Sequence, residues 1–122
     1  MQKKRILLVE DELDMRELIK NALCSDAQVI ESNNGAEAIM IFAENHFDLV
    51  MTDYKMPFMT GSELAERIKK MAPSQPILMI TGRCADACSD NPVDTIVRKP
   101  FALETLRSAV NKLLSVPRTA TA

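Results

Sequence analysis

The residues able to do chemistry in this sequence each follow a short apolar run. Glu10-Asp11-Glu12 follow Ile6-Leu7-Leu8-Val9, and Asp53 follows Leu49-Val50-Met51-Thr52. Thr81-Gly82 follow Ile77-Leu78-Met79-Ile80, and Lys99-Pro100 follow Thr95-Ile96-Val97-Arg98. If these runs are neighbouring parallel strands, their carboxyl ends converge, which is where open α/β sheets bind ligands. Glu10, Asp11 and Asp53 then supply three negative charges and Lys99 one positive charge. Like charges a few ångströms apart cost energy or raise a pKa. A divalent cation would bring the sum to zero, and all-oxygen ligands suit Mg2+ or Mn2+ better than Zn2+. A carboxylate in such a pocket can attack phosphorus and form an acyl phosphate. The transferring group carries charge on three equatorial oxygens, so positioning and neutralisation matter most. Asp53 suits the nucleophile, Glu10 and Asp11 the metal, and Thr81 and Lys99 the phosphoryl oxygens.

The elements that must position these residues are legible as periodicity. Five apolar runs read as strands: Arg5–Val9, Gln28–Glu31, Phe47–Thr52, Pro76–Thr81 and Thr95–Val97. Three of them contain continuous rather than alternating apolar stretches, the pattern of parallel strands covered on both faces. Helical stripes lie between and after them: Met15, Leu18, Ile19, Ala22 and Leu23; Ala36, Ile39, Met40 and Ala43; Leu64, Ile68 and Met71; and Leu103, Leu106, Val110 and Leu113. Asn34 stands where an N-cap belongs, and Thr60-Gly61-Ser62-Glu63 fits a capping box. Alternating strands and helices predict βαβ units, right-handed crossovers and a doubly wound parallel sheet. Arg83–Asn91, where another crossover helix belongs, is poor in large apolar residues and is stopped by Pro92, which predicts a very short helix or an irregular loop.

Composition excludes several classes. The chain has 122 residues, one domain's worth, with 47% apolar and 26% charged residues. A net charge of −2 is not the basic footprint of a nucleic-acid or anionic-membrane binder. No apolar run reaches membrane-span length, and Ile6-Leu7-Leu8-Val9 is too short for a signal-peptide core, so a cytoplasmic protein is expected. Cys24, Cys84 and Cys88 are an odd number and argue against a disulfide framework. Cys84 and Cys88 alone make an incomplete zinc site, and lone His46 reads as a surface or capping residue. Residues 1–115 read as the domain, and 116–122 as a tail or a cut linker.

On four motifs the chain resembles the receiver domain of two-component response regulators, from about Lys3 to Leu114. They are Leu8-Val9-Glu10-Asp11-Glu12, Asp48 to Pro57 with Gly61, Met79-Ile80-Thr81-Gly82, and Arg98-Lys99-Pro100-Phe101. The resemblance implies a flavodoxin-like (βα)5 three-layer sandwich of strand order 2-1-3-4-5, with the fourth crossover helix shortened or irregular. It implies that Asp53 accepts a phosphoryl group from a sensor histidine kinase or phosphotransfer protein. Glu10, Asp11, Asp53 and the main-chain carbonyl of Lys55 would hold Mg2+, with Thr81 and Lys99 on the phosphoryl group. Phosphorylation would then alter the face built from the fourth crossover, the fifth strand and the last helix, which implies a downstream protein, a fused output domain or a phosphorylation-dependent homodimer. Thr81, Arg83, Ile96 and Pro100 fall on or beside that switch, and Lys55 and Arg83 occupy positions that tune dephosphorylation in the family. Two positions depart from the family pattern. Ile96 stands where many members carry an aromatic residue, and only eighteen positions separate Thr81 from Lys99.

Other classes fit less well. A phosphatase of the haloacid-dehalogenase type would carry Asp-x-Asp after the first strand, whereas Asp53 follows the third and Lys55 stands two residues on. A nucleotide binder of the same fold needs a phosphate loop where Glu10-Asp11-Glu12 would repel one. A degenerate receiver acting as a phosphorylation-independent scaffold is the alternative within the family, and the intact Asp53, Thr81 and Lys99 weigh against it.

Overall fold

A computed structural model of the chain describes residues 3–25, 27–82 and 92–115. The expected short crossover at Arg83–Asn91, with Cys84 and Cys88, and the tail 116–122 lie outside them. The elements are β1 (Lys4–Val9), α1 (Leu13–Leu23), β2 (Ala27–Ser32), α2 (Gly35–Glu44), β3 (Leu49–Asp53), α3 (Gly61–Met71), β4 (Ile77–Thr81), β5 (Thr95–Arg98) and α4 (Leu103–Ser115). The strands form one sheet of order β2-β1-β3-β4-β5, and every neighbouring pair is parallel.

The continuous apolar runs split across the two faces of the sheet. Ile6, Leu8, Leu49, Met51, Leu78 and Ile80 point to one side, where Ile19 and Leu23 of α1 and Leu106 and Val110 of α4 cover them. Leu7, Val9, Val50 and Ile77 point to the other side, under Ala38 and Phe42 of α2 and Leu64 and Ile68 of α3. A side-chain period of two makes both faces apolar only if every position in the run is apolar. The result is three layers, with β1, β3 and β4 fully covered.

Two clips hold the amino ends of the strands. The Asp48 carboxylate accepts from the Arg5 N–H at 2.8 Å, and its own N–H donates to the Arg5 carbonyl at 2.8 Å. Asp94 does the same to Ile77, with 2.8 Å for both bonds, and also accepts from Lys69 Nζ at 2.9 Å. Arg5 in turn lies 5.1 Å above the Phe47 ring, which stacks on Phe42.

The caps read from the sequence are present. The Asn34 side chain accepts from the Glu37 N–H, and Thr60 and Glu63 form the reciprocal capping box of α3. The stripe read on the second helix is rotated. Its core face is Gly35, Ala38 and Phe42, while Met40 is 72% exposed and Ala36 and Ala43 face solvent. Only Glu37 and Glu44 mark a polar side on α2, and they lie opposite this core face, whereas the apolar spacing alone also fits the Ala36, Ile39, Met40 and Ala43 stripe. Leu18, Met71 and Leu103 also lie at rims rather than in the core.

Gly61 opens α3 against the end of β3. Its N–H donates to the Tyr54 carbonyl at 2.8 Å, and a Cβ here would run into the Asp53 carbonyl oxygen, a backbone atom with no room to yield. Gly61→Ala is therefore expected to destabilise the fold by roughly 1–3 kcal/mol, the usual range for overpacking. A urea titration would show this as a lower midpoint with an unchanged slope.

Candidate functional site

The sheet places the expected residues at one end. β1 and β3 are neighbours, so Glu10-Asp11 and Asp53 leave adjacent strands. The Tyr54 N–H donates to the Ile80 carbonyl at 2.9 Å, which extends the β3–β4 ladder past Asp53. The Lys99 N–H donates to the Thr81 carbonyl at 2.8 Å, which carries the β4–β5 pairing past Thr81. Lys99 Nζ reaches back over β4 to Asp53 Oδ2 at 2.9 Å. The Lys99–Pro100 bond is cis.

Carboxylate oxygens of Glu10, Asp11 and Asp53 all lie within 4.8 Å of one another. Asp53 is 5% exposed and Glu10 1%, whereas Asp11 faces solvent. Asp11, Asp53, Lys55, Met56, Thr81 and Lys99 are among the residues that line a cleft of about 620 Å³ over this cluster. Glu10 Oε2 accepts from the Glu12 N–H at 3.1 Å, while Glu10 Oε1 is the one buried side-chain polar atom without a hydrogen-bond partner among the described residues. Such an orphan oxygen in an all-oxygen acidic cluster fits a hard cation, so these three residues could hold a metal ion.

The electrostatics carry the same signature. Burial, then the charge of Asp53, raises the Glu10 carboxyl from 4.5 to about 7. Burial alone would lower the Lys99 ammonium. The hydrogen bond and charge of Asp53, with Glu10 and Glu12 behind them, outweigh burial, and the net shift is upward.

The remaining expected positions fall around this centre. Ile96 is half-buried in β5, one strand from Met79, and Pro100 is exposed beside Lys99. Arg83 lies outside the described residues. Sequence reasoning did not single out Phe58 or Arg16. Phe58, in the loop after Asp53, is wholly exposed and has a φ of 70°, a region that a bulky residue rarely adopts. Arg16 donates from Nη1 to the Glu10 carbonyl at 2.8 Å and from Nε to Glu31 Oε1 at 3.1 Å. The second contact joins α1 to β2, which one-dimensional spacing cannot show.

Residues 6–111 match the family model of the response regulator receiver domain. The chain belongs to that family. It is 41% identical over 116 residues to the response regulator receiver protein CpdR of Brucella abortus, an alignment covering 91% of this chain and 97% of that protein. It is 30% identical to part of the autoinducer 1 sensor kinase/phosphatase LuxN of Vibrio campbellii, covering 93% of this chain but only 14% of LuxN. Among solved structures it is similar to the response regulator TrrA of Thermotoga maritima, with 34% identity, a TM-score of 0.83, and coverage of 90% of this chain and 98% of that one. Receiver domains are signalling domains of two-component systems, and they interact with histidine kinases. Among the described residues no helix is long and apolar enough to cross a membrane.

The raised Glu10 pKa sets a sign for the pH dependence of the metal-free protein. Between pH 4.5 and about 7 the folded state holds a proton that the unfolded state has released, so stability falls as pH rises through that window. The expected loss is on the order of 1–3 kcal/mol. Urea midpoints in chelator from pH 5 to 7.5 should decline, and the decline should flatten in Glu10→Gln.

Proposed function

We propose that this receiver takes a phosphoryl group on Asp53 in a Mg2+-dependent reaction and passes the change to a partner protein. The observation that carries this reading is the contact of Lys99 Nζ with Asp53 Oδ2 at 2.9 Å inside a cluster of three carboxylates. Nothing in an apolar sheet demands that charge arrangement, and a phosphoryl acceptor does. That TrrA was crystallised with Mg(2+)-BeF, a phosphoryl mimic with its cation, supports carrying the chemistry over to the matching residues here.

In the proposed reaction an Asp53 carboxylate oxygen attacks the phosphorus of a phosphohistidine on a sensor kinase or phosphotransfer protein. The P–O bond forms as the P–N bond breaks, and the imidazole nitrogen keeps the electron pair and takes up a proton. The product is an acyl phosphate on Asp53. Lys99 starts on the Asp53 carboxylate and passes to a phosphoryl oxygen, so its charge follows the developing negative charge. Thr81, at the end of β4, offers its hydroxyl to another oxygen. Glu10, Asp11, Asp53 and the Lys55 carbonyl would hold Mg2+, which when bound neutralises charge on the phosphoryl group. Attack of water on phosphorus then breaks the P–O bond to Asp53, releases inorganic phosphate and restores the carboxylate, and catalysis extends no further than this self-directed turnover.

The signal is read on the surface that includes β5 and α4. With Ile96 where many members of the family carry an aromatic residue, the change at Asp53 and Thr81 is transmitted to that surface without an aromatic side chain. The module comprises residues 1–115, works in the cytoplasm, and hands its state to a downstream protein, a fused output domain or a second copy.

Incubation with Mg2+ and acetyl phosphate is the direct test. Intact mass should rise by one phosphoryl group in the wild type. It should stay unchanged in Asp53→Asn and in chelator. A folded wild type that gains no mass from acetyl phosphate or from a phosphohistidine donor would favour a phosphorylation-independent scaffold.

A further inference from the structure

We propose that Arg16 is a positioning residue for the acidic pair: its guanidinium clamps the peptide between Glu10 and Asp11 to Glu31 of β2, and so aims both carboxylates at the cation. The inference rests on the Mg2+ reading above for its consequence, but its geometry is independent of any ion.

Three successive peptide planes determine where the Glu10 and Asp11 side chains point. The Glu10 N–H donates to the Ser32 carbonyl at 3.0 Å, which fixes the plane before Glu10. The Glu12 N–H donates to Glu10 Oε2 at 3.1 Å, which fixes the plane after Asp11. The plane between them is shared by both residues, and Arg16 Nη1 holds its carbonyl at 2.8 Å. Without that bond, changes in the Glu10 ψ and the Asp11 φ that do not cancel would cost little. They would turn the Asp11 Cα–Cβ bond, and with it the carboxylate, which faces solvent.

Arg16 is itself held. Its Nε donates to Glu31 Oε1 at 3.1 Å, and Lys20 Nζ contacts Glu31 Oε2 at 2.9 Å, so both Glu31 oxygens are engaged. The Arg16 side chain is 17% exposed, far less than is usual for an arginine. The planar fork serves a backbone carbonyl on one strand and a carboxylate on the next at the same time. A lysine offers a single ammonium centre and lacks that fork.

Charge and geometry predict opposite signs here, which makes the proposal testable. As a mere positive charge near the site, Arg16 would repel Mg2+, and its removal would tighten binding. As a clamp, its removal would loosen binding. Tyr54 is the sole tyrosine of a chain without tryptophan and adjoins Asp53, so its fluorescence can follow a Mg2+ titration of the whole chain. Arg16→Ala and Arg16→Lys should each bind Mg2+ at least about tenfold more weakly, as loss of a ligand-orienting partner does. Lys20→Ala removes the same charge without touching the Glu10 carbonyl and should stay within about threefold, the scale of an exposed charge. Unchanged or tighter binding in Arg16→Ala, or full affinity in Arg16→Lys, would overturn the proposal.

A second readout needs no ion. In chelator, the Glu12 amide of Arg16→Ala should exchange with solvent about tenfold faster than in the wild type, while core amides such as Val50 keep their rates. Equal Glu12 exchange would overturn the clamp whatever the metal does. A wild type that ignores Mg2+ would defeat the cation reading alone, and the exchange comparison would still decide whether Arg16 fixes the acidic pair.

Discussion

A carboxylate placed at the end of a covered strand, beside two more, is tolerable only if positive charge reaches it. Among the described residues that charge is Lys99, whose ammonium meets Asp53 from the far side of β4. Much of the structure can be read as the means to this contact. β1 and β3 must be neighbours to bring the acidic loop to Asp53, and β5 must follow β4 so that Lys99 can reach across it. The capping box at Thr60 and the close approach of Gly61 to the end of β3 fix the loop that carries Lys55 and Met56. The compensation is incomplete, because Glu10 keeps an unpartnered buried oxygen. The cluster could therefore hold one more cation.

Function and stability pull against each other at this end of the sheet and cooperate at the other. At the amino ends, Asp48 and Asp94 each satisfy two strands at once, and their charges meet backbone donors and Lys69. At the carboxyl ends the same residue types are packed against one another. Identical chemistry thus serves as a clip where donors surround it and gathers into a charged cluster where they do not.

The strands and the acidic cluster were legible in the sequence for one reason: buried parallel strands require unbroken apolar runs, and such runs point at whatever follows them. Asp53 and Thr81 stand one residue past their apolar stretches, and Lys99 two residues past Thr95–Val97. The inner face of α2 was harder to read, because Ile39, Met40 and Ile41 spread apolar side chains around the helix and only Glu37 and Glu44 mark a polar side. Tertiary packing chose Gly35, Ala38 and Phe42, whose shapes fit the sheet and the Met59 side chain. Arg16 was hidden for a different reason. Its partners, Glu10 and Glu31, belong to two different segments, and only the register that sets Val9 beside Ser32 brings them together.

The strand order also bears on how the molecule assembles. Every neighbouring pair is parallel, and α1, α2 and α3 stand between the first four strands, so those pairings close long loops before they yield any ladder energy. The first strand made is nonetheless an interior one. β2 takes one flank of it, and β3, β4 and β5 are then laid down in order along the other. On a ribosome, each newly emerged strand meets an edge already prepared for it, so the sheet widens in the direction of synthesis. The end that carries the acidic cluster is completed last, when the turn carrying Lys99 arrives.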